Sequence, residues 1–422
     1  MNAEIISVGT ELLLGHTVNT DASFVARELS AIGVDLLFSC TVGDNVGRLR
    51  DALNTALSRS DIVITTGGLG PTEDDLTKET IAEAAGLPLV LHKESLKRIE
   101  DYFKGRVWGP TQKKQAYLPQ GCTVFQNDMG TAPGCGFQTK NGSTIIMLPG
   151  PPSELIPMLK NYAIPYLTGS MHAAIVSKIV RVFGLGEGNV AEQIPDLTDG
   201  ANPTAATYAG DGEMFVRVTA KAADEATAEA MCAPVVETIR GRLGDYVYGV
   251  DVPSLESLVV SQLKARHLRL ATAESCTGGL LSARITDIPG ASEVFTMGAV
   301  TYANEIKTML LGVPEEMLRE YGAVSEQVAS AMAEGVRKKS GCELGIGITG
   351  IAGPGGGTPE KPVGLVYIGL SDGQNTWVRK MPGTGKVKSR AYLRRLATSN
   401  ALDMVRRYLS GLDHIEVAAY KA

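Results

Sequence analysis

Two stretches of this chain repeat one rhythm, a short β-branched run followed by an amphipathic helical pattern, and that rhythm most restricts the fold. In the first stretch, residues 5–8, 36–42, 61–65 and 145–148 read as strands. Between them, Phe24, Val25, Leu29 and Ile32 recur at helical spacing and close on Gly33, and Leu49, Leu53, Ala56 and Leu57 mark a second helix. Strands that alternate with helices imply a mostly parallel sheet, whose ligands sit beyond the carboxyl ends of the strands. The rhythm returns near Pro253, with strands at 268–273, 294–301, 344–349, 365–370 and 376–381. In between, strands at 175–183, 205–208 and 214–220 and a helix over 224–243 predict a small α+β insert. The two α/β stretches share no repeated motif, so they read as unlike domains. The expected fold class is α/β, with domains at 1–170, 171–250 and 251–411 and a tail at 412–422, in keeping with roughly 150 residues per domain for a 422-residue chain.

Composition removes several function classes. A net charge of -6 speaks against nonspecific nucleic-acid binding through bulk charge. No apolar run approaches the roughly 20 residues of a membrane helix, and the first residues read as a strand, so the expectation is a soluble cytoplasmic protein with no membrane partner. The six cysteines are scattered without a C-x-x-C pair and read as reduced thiols. The five histidines never pair at metal spacing, so any metal should be a hard cation bound by oxygen.

In the first domain four polar motifs follow strands: Gly9-Thr10-Glu11, Gly43-Asp44-Asn45, the run from Thr66-Gly67-Gly68-Leu69-Gly70 to Asp74-Asp75, and Pro149-Gly150. In a parallel sheet all four converge. The glycines let backbone N–H groups approach a phosphate, and a helix beginning near Leu76 points its positive end there. Glu11, Asp44, Asp74 and Asp75 beside a phosphate would repel it unless a divalent cation lay between them. The competing reading is that residues 72–75 simply cap the helix.

These motifs, with Ser7-Val8 before Gly9, Asn19-Thr20-Asp21, and Pro151-Pro152 after Gly150, resemble the N-terminal domain of the CinA (competence/damage-inducible) family. That domain is similar to the molybdopterin-binding fold, in whose MogA-type members acids matching Asp44 and Asp75 are functional. The resemblance implies an ADP-ribose pyrophosphatase that needs a divalent cation such as Mg²⁺, with Asp44, Asp74 and Asp75 as metal ligands. Gly9, Thr10, Glu11, Asn19, Thr66, Gly67, Gly68, Gly70, Pro149 and Gly150 are the expected substrate contacts. The base that activates water stays open among Asp44, Asp74 and Asp75.

In the last domain Glu274-Ser275-Cys276-Thr277-Gly278-Gly279 follows a strand and opens a helix. Ser275 there is an N-cap or a nucleophile, and Cys276 is the rival nucleophile. Tyr302 and Lys307, after the next strand, offer a phenol and an amine, and a desolvated lysine can activate a serine. A third strand runs into Thr349-Gly350-Ile351-Ala352-Gly353, suited to holding an anion by backbone N–H groups. The stretch 382–387 is not a P-loop, because Lys380 stands where the first glycine belongs and Val387 where Ser or Thr belongs. From Arg379 to Arg407 nine basic residues face one acid, which reads as a solvated helix face, with Arg390 or a neighbour available for a substrate phosphate.

This domain resembles the CinA C-terminal domain, found alone as PncC-type nicotinamide mononucleotide deamidases. The resemblance implies Ser275 as nucleophile, Lys307 as its base, Tyr302 as an assisting group and no metal. Glu274, Cys276, Thr277, Gly278, Gly279, Thr349, Gly350, Gly353 and Arg390 are the expected substrate contacts. The insert is similar to a KH-type fold but lacks a basic G-x-x-G loop, which makes RNA an improbable ligand. The expected protein is thus a bifunctional pyridine-nucleotide salvage hydrolase acting on ADP-ribose and nicotinamide mononucleotide, with a homodimer expected from the family. The alternatives are a deamidase with a non-catalytic pterin- or nucleotide-binding first domain, and a DNA-uptake or repair accessory.

Overall fold

The computed structural model describes residues 1–106, 108–169, 174–210, 212–383 and 389–417. The boundary expected at 170/171, most of 382–387 and the end of the 412–422 tail fall outside them. The chain separates into two compact units, Met1–Ser177 with Thr219–Ala230, and Lys178–Val218 with Met231–Ala422.

In the first unit the strands are β1 (Asn2–Val8), β2 (Asp35–Val42), β3 (Ile62–Thr66), β4 (Leu89–Leu91), β5 (Tyr117–Pro119), β6 (Thr123–Phe125), β7 (Gly134–Gln138) and β8 (Thr144–Leu148). Six of them form a sheet in the order β2-β1-β3-β8-β7-β6, and β4 pairs with β5 separately. Pairing is parallel from β2 to β8, with Ile5 opposite Ile64 and Ile64 opposite Ile146. It turns antiparallel at β7 and β6, two short strands that the periodicity does not show. Alternate residues feed opposite faces. Ile5, Ile62 and Ile64 pack with Val25 and Leu29 of the helix Thr20–Ala31 on one side. Ile6 and Val63 pack with Leu49, Leu53 and Ile81 on the other. Covering both faces of parallel strands is what makes them read as nearly continuous apolar runs.

The middle of the chain forms β9 (Ala174–Val182), β10 (Thr204–Ala209), β11 (Met214–Ala222) and β12 (Val247–Val250), in the order β10-β11-β9-β12, with the helix Glu225–Leu243. The last domain contains β13 (Leu270–Glu274), β14 (Phe295–Val300), β15 (Leu344–Gly350), β16 (Leu365–Ser371) and β17 (Thr376–Pro382), in the order β14-β13-β15-β16-β17. β13 runs parallel to both neighbours, so the turns after β13, β14 and β15 share one edge. β16 and β17 form an antiparallel hairpin instead of continuing the βα rhythm. Its turn is closed by Asp372, whose Oδ1 accepts from the N–H groups of Gln374 and Asn375 at 2.8 and 2.7 Å.

The basic run ending at Arg407 is only in part the solvated face that its charge suggests: Lys380, Arg390 and Arg395 are exposed, but Arg379, Arg406 and Arg407 turn inward. Arg379 is fully buried and lies 2.9 Å from Asp403 Oδ2, while Arg406 and Arg407 reach the same carboxylate at 2.6 and 3.1 Å. Backbone carbonyls take further guanidinium donors, with Arg379 donating to Asn400 O and Ile415 O, and Arg406 to Asp245 O, while Arg379 Nε meets no partner among the described residues. The charges go inward because one carboxylate and several carbonyls replace their water. Removing that carboxylate leaves three buried cations unpaired, so Asp403→Ala should destabilise the last domain by about 3–5 kcal/mol. Urea unfolding followed through Trp377, which packs 5.5 Å from Tyr408, measures this in a Trp108→Phe background. An unchanged midpoint would exclude the cluster from the fold's stability.

Candidate functional sites

The carboxyl ends of β1, β2, β3 and β8 surround a cleft of about 600 Å³. Of the residues expected there, Gly9, Glu11, Asn19, Asp44, Thr66, Gly67, Gly68, Gly70, Asp74, Asp75, Pro149 and Gly150 all line it. Thr10 is absent from its wall. It donates from N–H and Oγ1 to Asp44 Oδ2 at 2.9 and 2.8 Å and so fixes that acid. Gly67 and Gly68 stand at φ +96° and +68°, where a Cβ would strike the Val8 carbonyl and the Thr77 hydroxyl respectively. Only glycine lets the backbone fold over the crest of β3 in this way.

Residues 72–75 do not cap the following helix. The N-cap position of Thr77–Ala85 is Leu76, without a side-chain cap, and the N–H of Thr77 donates to Gly68 O at 3.2 Å. Asp75 Oδ2 instead accepts from the N–H of Thr72 at 2.9 Å and from its hydroxyl. A hydrogen bond from Thr72 also holds the exposed Asp74 below the ordinary carboxylate range. Lys114 ties the loop down, donating to Asp75 O at 2.7 Å and Thr72 O at 3.3 Å. Asp44 and Asp75 therefore each keep one carboxylate oxygen without a hydrogen bond from the described residues. Among those residues no three His, Cys, Asp or Glu side chains converge as a metal cage, so Asp44, Asp74 and Asp75 share one cleft without forming a closed site. All-oxygen donors of this kind suit Mg²⁺, which commonly takes one or two carboxylates and fills its shell with phosphate oxygens and water.

Asn19 and Thr66 serve the wall as well as line it. Asn19 caps the helix Thr20–Ala31 by accepting from Ala22 N–H at 3.1 Å and donates to Ser7 Oγ at 2.9 Å, to which Thr66 also donates at 3.3 Å. Asp21 and Glu154, which lie within the strand-end and resemblance motifs but have no role assigned from sequence, stand on the same wall, as does Gln115, which no motif marks. Glu154 accepts from Asn127 Nδ2 at 2.6 Å.

In the last domain Lys307 is 1% exposed and its Nζ lies 3.4 Å from Ser275 Oγ and 3.1 Å from Tyr302 O. Burial lowers its pKa below the usual lysine range. Ser275 leaves β13 with its N–H held by Ile348 O at 2.9 Å, and the turn closes by the Gly278 N–H donating to Ser275 O at 3.1 Å. Gly278 and Gly279 take φ +57° and +90°, which directs the turn back into the helix Leu280–Thr286. Arg394 clamps the turn from outside, donating to Thr277 O at 2.6 Å. Arg390 donates to Gly353 O at 2.8 Å and stands 3.4 Å from the Tyr302 hydroxyl. Thr349 donates to Ala323 O at 2.7 Å, and Gly350 faces Val366, where a Cβ would come within 2.6 Å.

Three expectations change here. Glu274 is fully buried, and its oxygens accept from the N–H groups of Leu281 and Ser282 at 3.0 and 2.9 Å and from Ser282 Oγ at 2.7 Å. It caps the helix and is not a substrate contact. Cys276 is buried and its thiol is pushed up to about 11, which removes it as rival to the serine because the thiolate is the nucleophile. Tyr302 meets Lys307 through its backbone carbonyl, while the residue as a whole is 62% exposed.

Asp21 carries a testable electrostatic signature. Desolvation raises its carboxyl from 3.8 to about 6. The folded state therefore holds this proton more tightly than the unfolded state, and stability falls as pH rises between these two values. Asp21→Asn should flatten that part of the pH–stability profile, and carboxyl ¹³C NMR should find a midpoint near 6 in the unaltered protein. A midpoint below 4.5 would remove Asp21 from the desolvated wall.

Comparison with known proteins matches residues 252–409 to the CinA C-terminal domain, 4–169 to the probable molybdopterin binding domain and 177–249 to the damage-inducible protein CinA KH domain. A CinA-like protein of Desulfovibrio desulfuricans is 61% identical, covering 98% of this chain and 97% of its own. A putative competence-damage inducible protein of Acetivibrio thermocellus is 50% identical over 98% of this chain and 100% of its own. The crystal structure of the protein CinA from Thermoplasma acidophilum is 37% identical over 38% of this chain and 95% of that one, with a TM-score of 0.36. No helix among the described residues is long and apolar enough to cross a membrane. With close identity across nearly its whole length and all three domain types in order, the chain belongs to the CinA (competence/damage-inducible) family.

Proposed function

We propose that the chain is a two-site hydrolase of pyridine-nucleotide salvage in the cytoplasm: a nicotinamide mononucleotide deamidase in its last domain and a divalent-cation-dependent ADP-ribose diphosphatase in its first. The observation that carries the first activity is the buried amine of Lys307 beside Ser275 Oγ. A desolvated lysine is neutral at lower pH than an exposed one and so can act as a base. Lys307 takes the Ser275 proton as Oγ attacks the carboxamide carbon. The N–H groups of Thr277 and Gly279, which donate to no group among the described residues, are the donors this turn offers to the oxyanion. The lysine then returns its proton to the departing nitrogen, the C–N bond breaks and ammonia leaves. Water, deprotonated by the same amine, cleaves the acyl ester to release nicotinate mononucleotide. Arg390 beside the turn offers its charge to the substrate phosphate.

In the first domain the glycine cradle and the helix Thr77–Ala85 accept a diphosphate by N–H groups and dipole. Asp44 and Asp75 offer their unbonded oxygens to Mg²⁺, which when bound neutralises phosphate charge. Thr10, Thr72 and Lys114 hold these acids in place. One of Asp44, Asp74 and Asp75 accepts the proton of the attacking water.

Ser275→Ala and Lys307→Met should each lower deamidation by about 10²–10⁴-fold, while Asp75→Asn should spare deamidation and lower AMP release from ADP-ribose by at least about 10²-fold. Ammonia release and AMP formation with and without Mg²⁺ measure the two. Loss of both activities in every variant would contradict two separate sites. Retained binding of ADP-ribose without AMP would make the first domain a nucleotide-binding module. The acid limb of the deamidase profile should report the amine, activity falling as pH drops through the lowered pKa of Lys307. An acid limb unchanged in Lys307→Arg would exclude the amine as base.

A further inference from the structure

Two cysteines, Cys122 and Cys135, meet at the outer edge of the first unit's sheet, away from the cleft and without a part in the chemistry above. β6 is the last strand of that sheet and pairs antiparallel with β7 over three residues, with Val124 opposite Cys135 and Thr123 opposite Gly136. Cys122 directly precedes β6. Side chains two apart share a face of a strand, so Cys122 and Val124 lie on the face of Cys135, and Cys122 is its diagonal neighbour. All three pack in one core layer, whereas Phe125 packs in the opposite one. The two thiols are free and hydrogen-bonded to each other.

The pair is asymmetric. Cys135 is 1% exposed, while Cys122 is half-buried and open to a small oxidant. The hydrogen bond from Cys135 holds Cys122 below the usual thiol range, and that bond together with burial pushes Cys135 well above it. An accessible thiol that ionises first, next to a buried thiol that does not, is the arrangement of an attacking and a resolving cysteine. Cys40 shows the contrast. It is half-buried too, but burial and the nearby Glu4 push its thiol up.

We propose that Cys122 and Cys135 are a reversible oxidation site, joined as a disulfide by a peroxide, which staples the edge strand β6 to the sheet. The Cys122 thiolate attacks one oxygen of hydrogen peroxide, the O–O bond breaks, and the departing hydroxide takes up a proton as water. Cys122 is then a sulfenic acid. The Cys135 sulfur attacks the Cys122 sulfur, the S–O bond breaks, and the hydroxide that leaves takes the Cys135 proton. Two thiols and one peroxide thus give one disulfide and two waters, and a dithiol reverses the step by exchange. The new bond closes residues 122–135 into a ring that contains β6 and two residues of the cleft wall, Thr131 and Ala132. Such a ring removes freedom mainly from the unfolded chain, so the oxidised form is the more stable one. The proposal is independent of what the cleft binds or hydrolyses.

Peptide mapping of the full chain after hydrogen peroxide tests it. Cys122 and Cys135 fall in one tryptic peptide, 115–140, which holds no other cysteine. In the native reduced protein, denatured and alkylated, this peptide should carry two labels. After peroxide it should carry none and be lighter by two hydrogens, and dithiothreitol should restore both labels. Cys40 should still take its label at the same dose. Cys135→Ala should leave a sulfenic acid at Cys122 that dimedone traps, and Cys122→Ser, which keeps the buried cysteine in place, should leave Cys135 open to alkylation. Oxidation should also raise the melting midpoint of Trp108 fluorescence by about 5–10 °C in a Trp377→Phe background, a rise that Cys122→Ser abolishes. Two labels after peroxide, equal loss at Cys40, or a bridge from this peptide to another one would overturn the oxidation site. A peptide that loses both labels without any rise in the midpoint would overturn the staple.

Discussion

Parallel pairing at the centre of each α/β sheet is the constraint on which both sites depend. β1, β3 and β8 run the same way in register, so Gly9, Gly67 and Gly150 leave the sheet at one edge. β13 pairs in parallel with β14 and β15, so Ser275, Tyr302 and Gly350 leave together at another. Reversing any one of these strands would carry its loop about a strand length away, roughly 17–20 Å. The antiparallel strands β6, β7, β16 and β17 lie toward the sheet edges, where their direction does not decide which loops meet.

Burial sets the chemistry of individual groups at these edges, and its effect depends on what replaces the lost water. Lys307 loses solvent and gains only a hydroxyl and a carbonyl, so its charged form is disfavoured. Cys276 next to the serine is pushed up by the same desolvation and stays a thiol. Asp403 is buried just as deeply, yet three guanidiniums hold it below the ordinary carboxylate range. One physical effect thus loosens an amine's hold on its proton at one place and leaves a structural ion cluster at another.

The loop after β3 shows how glycine and charge act together. A Cβ at Gly67 or Gly68 would meet the chain, so the backbone lies low over the sheet and its N–H groups are open to an anion. The acids beside it are not free agents. Thr10 holds Asp44, Thr72 holds Asp75, and Lys114 holds the loop between them by its carbonyls. Such hydrogen bonds fix carboxylates in place before a cation or substrate arrives, which is the usual means of gaining affinity without added contacts.

The sequence by itself determined where the central strands lie and which glycine- and acid-bearing motifs follow them, and it set Ser275 and Lys307 after neighbouring strands, their pairing being what the family resemblance implied. Each of these follows from a local period or from residues a few positions past a strand end. Only the tertiary structure decided the rest. The segments 123–125 and 134–138 are too short and rich in small residues to show a period, so the antiparallel edge emerged from pairing alone. Glu274 stands beside the nucleophile in sequence, yet alternation along β13 turns it inward onto a helix N-terminus. The run from Arg379 to Arg407 shows only charge, and whether a guanidinium meets water or Asp403 depends on a strand and a helix packing together. Gln115 lies in no motif and Asp21 in one that gives it no role, because a side chain's lack of a partner is a property of the space around it and not of its neighbours in the chain.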